Sequence, residues 1–197
     1  MKETGVIKFN CNWIKSEALP MSELNELNTW RNKMYALGWI GVNAEEIGFG
    51  NISIRSKNNG FIISGSATGK LKTLNNEHYT KVVEYDLEKN SLTAVGPILA
   101  SSESLTHAVI YEYDKTVNAI IHIHNFDLWK KNMNEMPTTK KEIEYGTPAM
   151  ANEMIRLFDE TDLRNKKVLV MAGHEEGIIS FGENLEEAGN LLLKLLQ

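Results

Sequence analysis

Two histidines separated by one residue stand near the end of an apolar segment, residues 117–125 (VNAIIHIHN). The β-branched residues of this segment predict a buried strand. Because residues two apart on a strand point to the same face, His122 and His124 converge on one side, where two imidazoles can bind one metal ion. Two structural histidines, each with its own hydrogen bonds, are the alternative interpretation, and the pair alone leaves both open.

Further candidates lie elsewhere in the sequence. His174 ends the apolar run of residues 167–173, where a strand would present a third ligand to a pocket. Glu103 follows Ser101 and Ser102 and could act on metal-activated chemistry, or could simply interact with the dipole at a helix start. His107, four residues after Glu103, shares its helical face, and we assign it no ligand role.

Two glycine-rich loops could bind an anion. Gly48-x-Gly50 lacks the third glycine of the dinucleotide fingerprint, and residues 66–70 fail the P-loop pattern. Both loops nevertheless lie at strand ends beside small hydroxyl and amide residues, and Lys70 could add a positive charge. Ordinary turn chemistry is the alternative. The residues that could together offer donors to a phosphate are Asn51, Thr68, Gly69, Ser101 and Ser102.

Composition limits the class of protein. The chain of 197 residues suffices for one sizeable core, with 42% hydrophobic and 24% charged residues, as in soluble globular proteins. A net charge of −5 without a basic block disfavours nucleic acid as a partner. Cys11 is the single cysteine, which excludes an intrachain disulfide and a zinc site of thiolates. No segment resembles a membrane span or a signal peptide, so we expect a cytoplasmic protein that does not bind membranes.

Periodicity and turn signals predict the elements that would position these residues. A helix should run from Pro20 or Ser22 to about Gly38, and Ser101 or Ser102 should cap another that ends near Tyr113. Further helices are predicted near residues 126–134, 147–158 and 185–196, and strands at 51–55, 61–64, 82–85, 91–95, 117–125, 167–171 and 177–181. This order favours an α+β fold with a largely antiparallel sheet flanked by helices. We expect residues 1–20 to form a strand and arm, and residues 21–197 a single domain.

The order of the motifs resembles that of the class II aldolase/adducin family. The motifs are Gly50-Asn51-Ile52-Ser53, Thr68-Gly69, Ser101-Ser102-Glu103, His122-x-His124 and a later histidine at a strand end. The similarity runs from about Met21 to the C-terminus. It implies a three-layer α/β/α fold around a central, mainly antiparallel sheet, and a homo-oligomer, commonly a tetramer.

The resemblance also implies a function. It places one Zn²⁺ per subunit on His122, His124 and His174, and makes Glu103 the acid/base. The residues that it assigns to the substrate phosphate are Asn51, Thr68, Gly69, Ser101 and Ser102. The expected activity is that of a zinc-dependent lyase, an aldolase that cleaves a small phosphorylated ketose through a metal-stabilised enediolate. A dehydratase or epimerase on the same scaffold, or a non-catalytic adducin-like interaction module, is the alternative.

The sequence departs from the family pattern after the third histidine. Glu175 and Glu176 stand between His174 and Gly177, where the family has no intervening residue. Alignment of the upstream strand gives the ligand position to His174, whereas alignment from Gly177 gives it to Glu176. We expect His174 to be the ligand, with Glu175 in solvent and Glu176 beside the site. Tyr145 is the candidate for a tyrosine that the family carries in this region.

Overall fold

In the computed structural model, which describes residues 7–197, an eight-stranded sheet lies between two layers of helices. The strands of this sheet are β1 (Asn10–Lys15), β4 (Asn51–Arg55), β5 (Phe61–Ser64), β6 (Tyr79–Asp86), β7 (Ser91–Gly96), β8 (Ala119–His124), β9 (Val168–Val170) and β10 (Gly177–Gly182). A separate short pair is formed by β2 (Gly41–Val42) and β3 (Gly48–Phe49). The helices are α1 (Met21–Ala36), α2 (Ser104–Tyr113), α3 (Phe126–Asn132), α4 (Pro148–Glu160), α5 (Leu163–Lys166) and α6 (Leu185–Lys194).

The sheet is mainly antiparallel. Its strand order is β1-β7-β6-β5-β4-β8-β10-β9, and only the edge pair β1–β7 is parallel among these described strands. The hairpin of β4 and β5 has the predicted strand bounds and turns through Asn59 and Gly60, both at positive φ. The predicted α+β fold, three-layered with a mainly antiparallel sheet, is therefore confirmed.

Successive side chains of strand β8 point alternately into the two hydrophobic cores, one on each face of the sheet. Ile121 and Ile123 pack with α1 and α6 on one face, while Ile120 packs with α2 and α4 on the other. Because side chains alternate along a strand, His122 and His124 share the face of Ile120. Both histidines therefore point toward the layer of α2, whose N-terminus carries Glu103.

Some elements differ from the prediction. Helix α2 begins at Ser104 with Glu103 as its N-cap residue, so neither Ser101 nor Ser102 caps its first turn. The reason is local, because Ser104 Oγ donates to the Ser101 carbonyl and holds residues 101–103 in a turn before the helix. The β2–β3 pair was not predicted, since two-residue strands are too short for periodicity to detect. Among residues 7–197, no helix has the length and apolar character that a membrane crossing requires.

A substitution at Gly60 would test how closely the turn of the β4–β5 hairpin packs against β6. A Cβ on Gly60 would stand 1.9 Å from the Val82 carbonyl oxygen, whereas one on Gly38, at nearly the same φ, would meet nothing within 4 Å. Gly38→Ala should therefore lower the free energy of unfolding by about 1–2 kcal/mol through backbone strain alone. Gly60→Ala should cost at least ~1 kcal/mol more, because the backbone itself must move. Urea denaturation of both variants measures the difference, and equal losses would contradict the packing described for Gly60.

Candidate functional site

Three buried histidines meet at one end of the sheet. His122 and His124 come from β8, and His174 lies in the turn between β9 and β10. One ring nitrogen from each lies within 4.8 Å of the others, and His124 Nε2 is 3.0 Å from His174 Nε2. Among residues 7–197, this trio is the group of histidine, cysteine and acidic side chains whose geometry suits a metal ion.

Neighbouring residues fix the orientation of these rings. The Asn51 amide nitrogen lies 3.3 Å from His122 Nδ1, because Asn51 is the cross-strand partner of His122. The Phe49 ring packs 5.1 Å from that of His124. Gly177 stands opposite His124, and a Cβ there would approach the His174 ring to 2.9 Å. The glycine therefore gives the histidine rings the room to converge.

Burial keeps all three imidazoles neutral. It lowers the pKa of His124 to about 4. The pKa of His122 falls well below its usual value through burial first, and then through the charges of the neighbouring histidines. Burial, with His124 and Lys8 adding repulsion, does the same to the pKa of His174. At neutral pH the trio therefore holds free lone pairs, the state in which histidine binds a metal.

The trio fits a divalent metal ion. His122 Nε2 is buried and has no hydrogen-bond partner among the described residues, which is costly unless a ligand completes it. Tetrahedral zinc bound to nitrogen at ~2.0–2.1 Å holds its ligand atoms roughly 3.3–3.5 Å apart, a spacing that small ring movements within the trio can reach. Three protein ligands leave a fourth position for a substrate or water, as in catalytic sites.

Glu103 lies beside the trio in an unusual environment. Its Oε2 accepts a hydrogen bond of 3.0 Å from Thr106 Oγ1, while its Oε1 is buried without a hydrogen-bond partner in the described chain. Oε1 stands 3.9 Å from His174 Nε2. Burial raises the pKa of Glu103 to about 7, although the Thr106 hydrogen bond and the Lys8 charge oppose the shift. The group can therefore exchange a proton near neutral pH.

A cavity of about 410 Å³ opens onto Glu103 and the histidines. Every residue predicted for phosphate binding lines it, namely Asn51, Thr68, Gly69, Ser101 and Ser102. Lys70 is exposed and does not line the cavity, so the expected positive charge from Lys70 is not present there. Glu46, Glu175 and Glu176 line the cavity as well, and no lysine or arginine of residues 7–197 does so.

The loop of residues 65–70 carries free backbone donors. Within residues 7–197, the N–H groups of residues 67–70 donate to no acceptor. Ala67 has φ +58°, a left-handed conformation that lets successive N–H groups converge as in anion-binding nests. The Thr68 hydroxyl donates to the Gly65 carbonyl at 2.8 Å, which stabilises the turn. The loop therefore offers backbone N–H groups, rather than a cation, to an anion in the cavity.

Both glutamates after His174 line the cavity, although Glu175 was expected to lie in solvent. Glu175 is exposed, and Glu176 is half-buried at φ +69° with its side chain on the cavity. Glu176 is not part of the three-histidine group found in the described chain. The Tyr145 ring packs 4.4 Å from the His174 ring and lines the same cavity.

The remaining histidine of this region is structural in its contacts. His107 Nδ1 lies 2.7 Å from Ser53 Oγ, beneath the metal trio, and burial lowers its pKa to about 3. Sequence reasoning missed two contributors to the site, Phe49 and the buried Arg31. The glycines that flank Phe49 suggested a possible anion-binding loop without a role for the aromatic ring, and Arg31 resembles any polar residue of a helix in the sequence.

Comparison with known proteins assigns the family. The sequence profile of the "Class II Aldolase and Adducin N-terminal domain" matches residues 26–196. The chain belongs to the class II aldolase/adducin family. This aldolase-family chain is 26% identical, over 153 residues, to the L-fuculose phosphate aldolase of Methanocaldococcus jannaschii, covering 71% of the chain and 75% of that protein.

Two solved structures share the fold of this class II aldolase-family chain. An L-fuculose 1-phosphate aldolase superposes with a TM-score of 0.67 at 18% identity, covering 92% of the chain and 84% of that protein. YgbL from Klebsiella pneumoniae gives a TM-score of 0.67 at 16% identity, covering 90% of the chain and 86% of YgbL. These likenesses show the class II aldolase-like fold of the chain.

The raised pKa of Glu103 predicts a pH-dependent cost to stability. The unfolded value is near 4.5 and the folded value about 7, so the folded protein binds more protons between them and loses stability as pH rises through this window. Glu103→Gln removes the charge. In metal-free protein the variant should be more stable than wild type by about 1–3 kcal/mol at pH 8, with a much smaller difference at pH 5. Urea denaturation at the two pH values measures this, and an equal difference at both would contradict the assignment of a buried carboxyl.

Proposed function

We propose that the protein is a zinc-dependent lyase that cleaves a small phosphorylated ketose by retro-aldol chemistry. The observation that carries the proposal is a buried carboxyl, with one oxygen unpaired in the described chain, beside three converging neutral histidines. The relative from Methanocaldococcus jannaschii is named for an aldolase activity on fuculose phosphate, which supports the same reaction class. The description of YgbL names aldolase, epimerase and decarboxylase as candidate activities.

His122, His124 and His174 would hold the metal. Imidazole nitrogens in a three-ligand set suit zinc, and a bound Zn²⁺ would polarise the carbonyl and hydroxyl oxygens of a ketose as a Lewis acid. The protein contributes preorganisation to this site. The strand partners of β8 and the ring of Phe49 hold the imidazoles in place before any ion binds.

Glu103 would move the proton. Burial raises the pKa of Glu103 to about 7 without a metal, and a bound Zn²⁺ would lower the pKa from there, so the carboxylate would be available as a base at neutral pH. Thr106 holds Oε2, so the unpaired Oε1 would accept the proton of the substrate hydroxyl as the adjacent C–C bond breaks to release the aldehyde, and would return that proton to the carbon of the ketone fragment. The cavity gives a substrate access to this oxygen.

Asn51 would serve both halves of the site. A metal on His122 Nε2 leaves the proton on Nδ1, and that N–H needs an acceptor. Asn51 Oδ1, which is buried and unpaired within the described residues, becomes this acceptor when the amide turns over. The Asn51 NH₂ group is then available to an oxygen of the phosphate, beside the free N–H groups of residues 67–70.

The unpaired polar atoms of the site lower the stability of the fold, and this argues against an adducin-like interaction module without catalysis. Each buried polar atom left unpaired costs roughly 1–3 kcal/mol, and His122 Nε2, Glu103 Oε1 and Asn51 Oδ1 are all such atoms in the described chain. A module that needed only the fold would gain stability from apolar residues at these positions. The three atoms are most simply explained by a metal and a substrate that complete them.

Metal content tests the ligand set. His122→Ala and His174→Ala should each lose most of the zinc in purified protein, because a site with two histidines binds zinc far more weakly. Glu176→Gln should keep its zinc, since Glu176 lies outside the trio. His107→Ala, a buried histidine that contacts Ser53, is the control and should lose stability while keeping zinc. Elemental analysis of folded protein decides the question, and full zinc occupancy in His122→Ala would refute the ligand assignment.

Turnover tests the role of Glu103. Glu103→Gln should retain zinc and bind substrate as wild type does, while kcat falls by roughly 10²–10⁴, the usual contribution of a positioned acid/base. Assays on a panel of ketose phosphates should detect the aldehyde that retro-aldol cleavage releases. Water loss or epimer formation without this aldehyde would instead assign a dehydratase or an epimerase. A Glu103→Gln variant with unchanged kcat would leave Glu103 without a catalytic role.

A further inference from the structure

Arg31 is a buried cation that contacts the loop of residues 65–70 on the side away from the cavity. It lies on α1, and its guanidinium donates to the carbonyl oxygens of Thr68 at 3.0 Å, Gly69 at 3.3 Å and Lys72 at 2.9 Å. The Tyr35 ring stacks 4.7 Å from it. In the described part of the chain, no carboxylate lies within ion-pair distance of Arg31. Its charge is therefore compensated only by the carbonyls of this loop and by aromatic rings.

Peptide geometry links these carbonyls to the donors in the cavity. In a trans peptide the C=O and N–H groups point in opposite directions. Because the Thr68 and Gly69 carbonyls point at the guanidinium, the N–H groups of Gly69 and Lys70 point away from it. Neither N–H has an acceptor among residues 7–197, and Gly69 lines the cavity. Arg31 thus sets the direction of the Gly69 N–H group, which an anion in the cavity would meet.

The positive charge of Arg31 has a second effect, which depends on the charges that line the cavity. Within the described part of the chain, the cavity wall carries the carboxylates of Glu46, Glu175 and Glu176 and no lysine or arginine. Lys8, which approaches from the side of Tyr145, is already paired with Glu144 at 3.2 Å. Beside the zinc ion of the proposed function, a phosphate in this cavity would therefore be stabilised by a positive charge behind the wall, which Arg31 supplies through two peptide units.

We propose that Arg31 is a positioning residue for substrate phosphate: its guanidinium orients the backbone N–H group of Gly69 on the cavity wall and balances the carboxylates of that wall. This inference rests on the proposed function, which places the phosphate at the loop. Arg31 would act without touching the substrate, because it lies behind the cavity wall. The loop and α1 then form one unit, because Asn28 of α1 also donates to the Leu74 carbonyl at 2.9 Å.

The experiment uses a matched pair of arginines in zinc-loaded protein. Arg55 donates in the same manner to the Tyr111, Asp114 and Val117 carbonyls and stacks 4.8 Å from the Tyr111 ring, but it does not line the cavity or contact the loop. The variants are Arg31→Met, Arg31→Lys and Arg55→Met. Calorimetric titration with inorganic phosphate, hydrogen exchange of residues 67–72 and zinc content are measured for each.

Arg31→Met should weaken phosphate binding by about tenfold or more and speed hydrogen exchange of residues 67–72, with zinc content unchanged. Arg31→Lys should be intermediate, because an ammonium keeps the charge but lacks the planar fork that holds several carbonyls. Arg55→Met should bind phosphate as wild type does, whatever stability it loses. With a phosphorylated ketose, Arg31→Met should raise KM more than it lowers kcat.

Each outcome has a distinct meaning. Arg31 variants with wild-type phosphate affinity and wild-type loop exchange overturn the inference and leave the proposed function standing. Equal loss of phosphate affinity in Arg31→Met and Arg55→Met also overturns it, because the effect would then follow from stability alone. Wild-type protein that holds zinc but fails to bind phosphate removes the anion site, and with it both the inference and the phosphate of the proposed function. Should Arg31→Met not fold, the same comparison is made with Arg31→Lys.

Discussion

The pairing register of β8 is the constraint on which the site depends. Asn51 pairs with His122 across one edge of this strand, and Gly177 pairs with His124 across the other. A slip of one residue would turn both histidines into the apolar core beneath α1 and α6, because side chains alternate between the faces. All six residues of β8 are buried, so this slip would also place Ile121 against the cavity. The hydrophobic cores on both faces thus fix the register that positions His122 and His124.

The site gathers features that reduce stability. Ala67, Glu46 and Glu176 all line the cavity and all have positive φ, a conformation that costs residues other than glycine roughly 1–2 kcal/mol. Of the seven buried side-chain atoms without a hydrogen-bond partner in the described chain, those of Asn51, Glu103 and His122 lie in the same place. Strain and unsatisfied atoms at one end of a well-packed sheet are expected where binding, rather than folding, determines the residues. The two hydrophobic cores supply the stability that allows these costs.

Much of this arrangement could be predicted from the sequence, and the reasons differ for what could not. The alternation of β8, the β4–β5 hairpin and the terminal helices follow from local patterns, so the fold and the convergence of His122 with His124 were accessible. Arg31 was not, because its partners are backbone carbonyls that lie 37 to 41 residues away, and no sequence pattern links a helical side chain to carbonyls at that separation. The structure also differs from the prediction in the start of α2 and in the position of the Lys70 side chain. The reason is similar, because tertiary contacts decide where a helix begins and where a side chain points when the local sequence allows several possibilities.

Two layers of the fold hold the two halves of the site. The sheet holds the histidines through β8 and its neighbours, whereas α1 holds the loop of residues 65–70 through Arg31. Asn51 begins β4 and lines the cavity, so its side chain stands between the halves. The tautomer of His122 decides whether the oxygen or the NH₂ group of the Asn51 amide faces the imidazole ring. A cation bound to His122 would therefore determine which of these two groups Asn51 presents to the loop of residues 65–70. The catalytic carboxyl of the proposed function, Glu103, is held by α2, so this chemistry would require the sheet and both helical layers together.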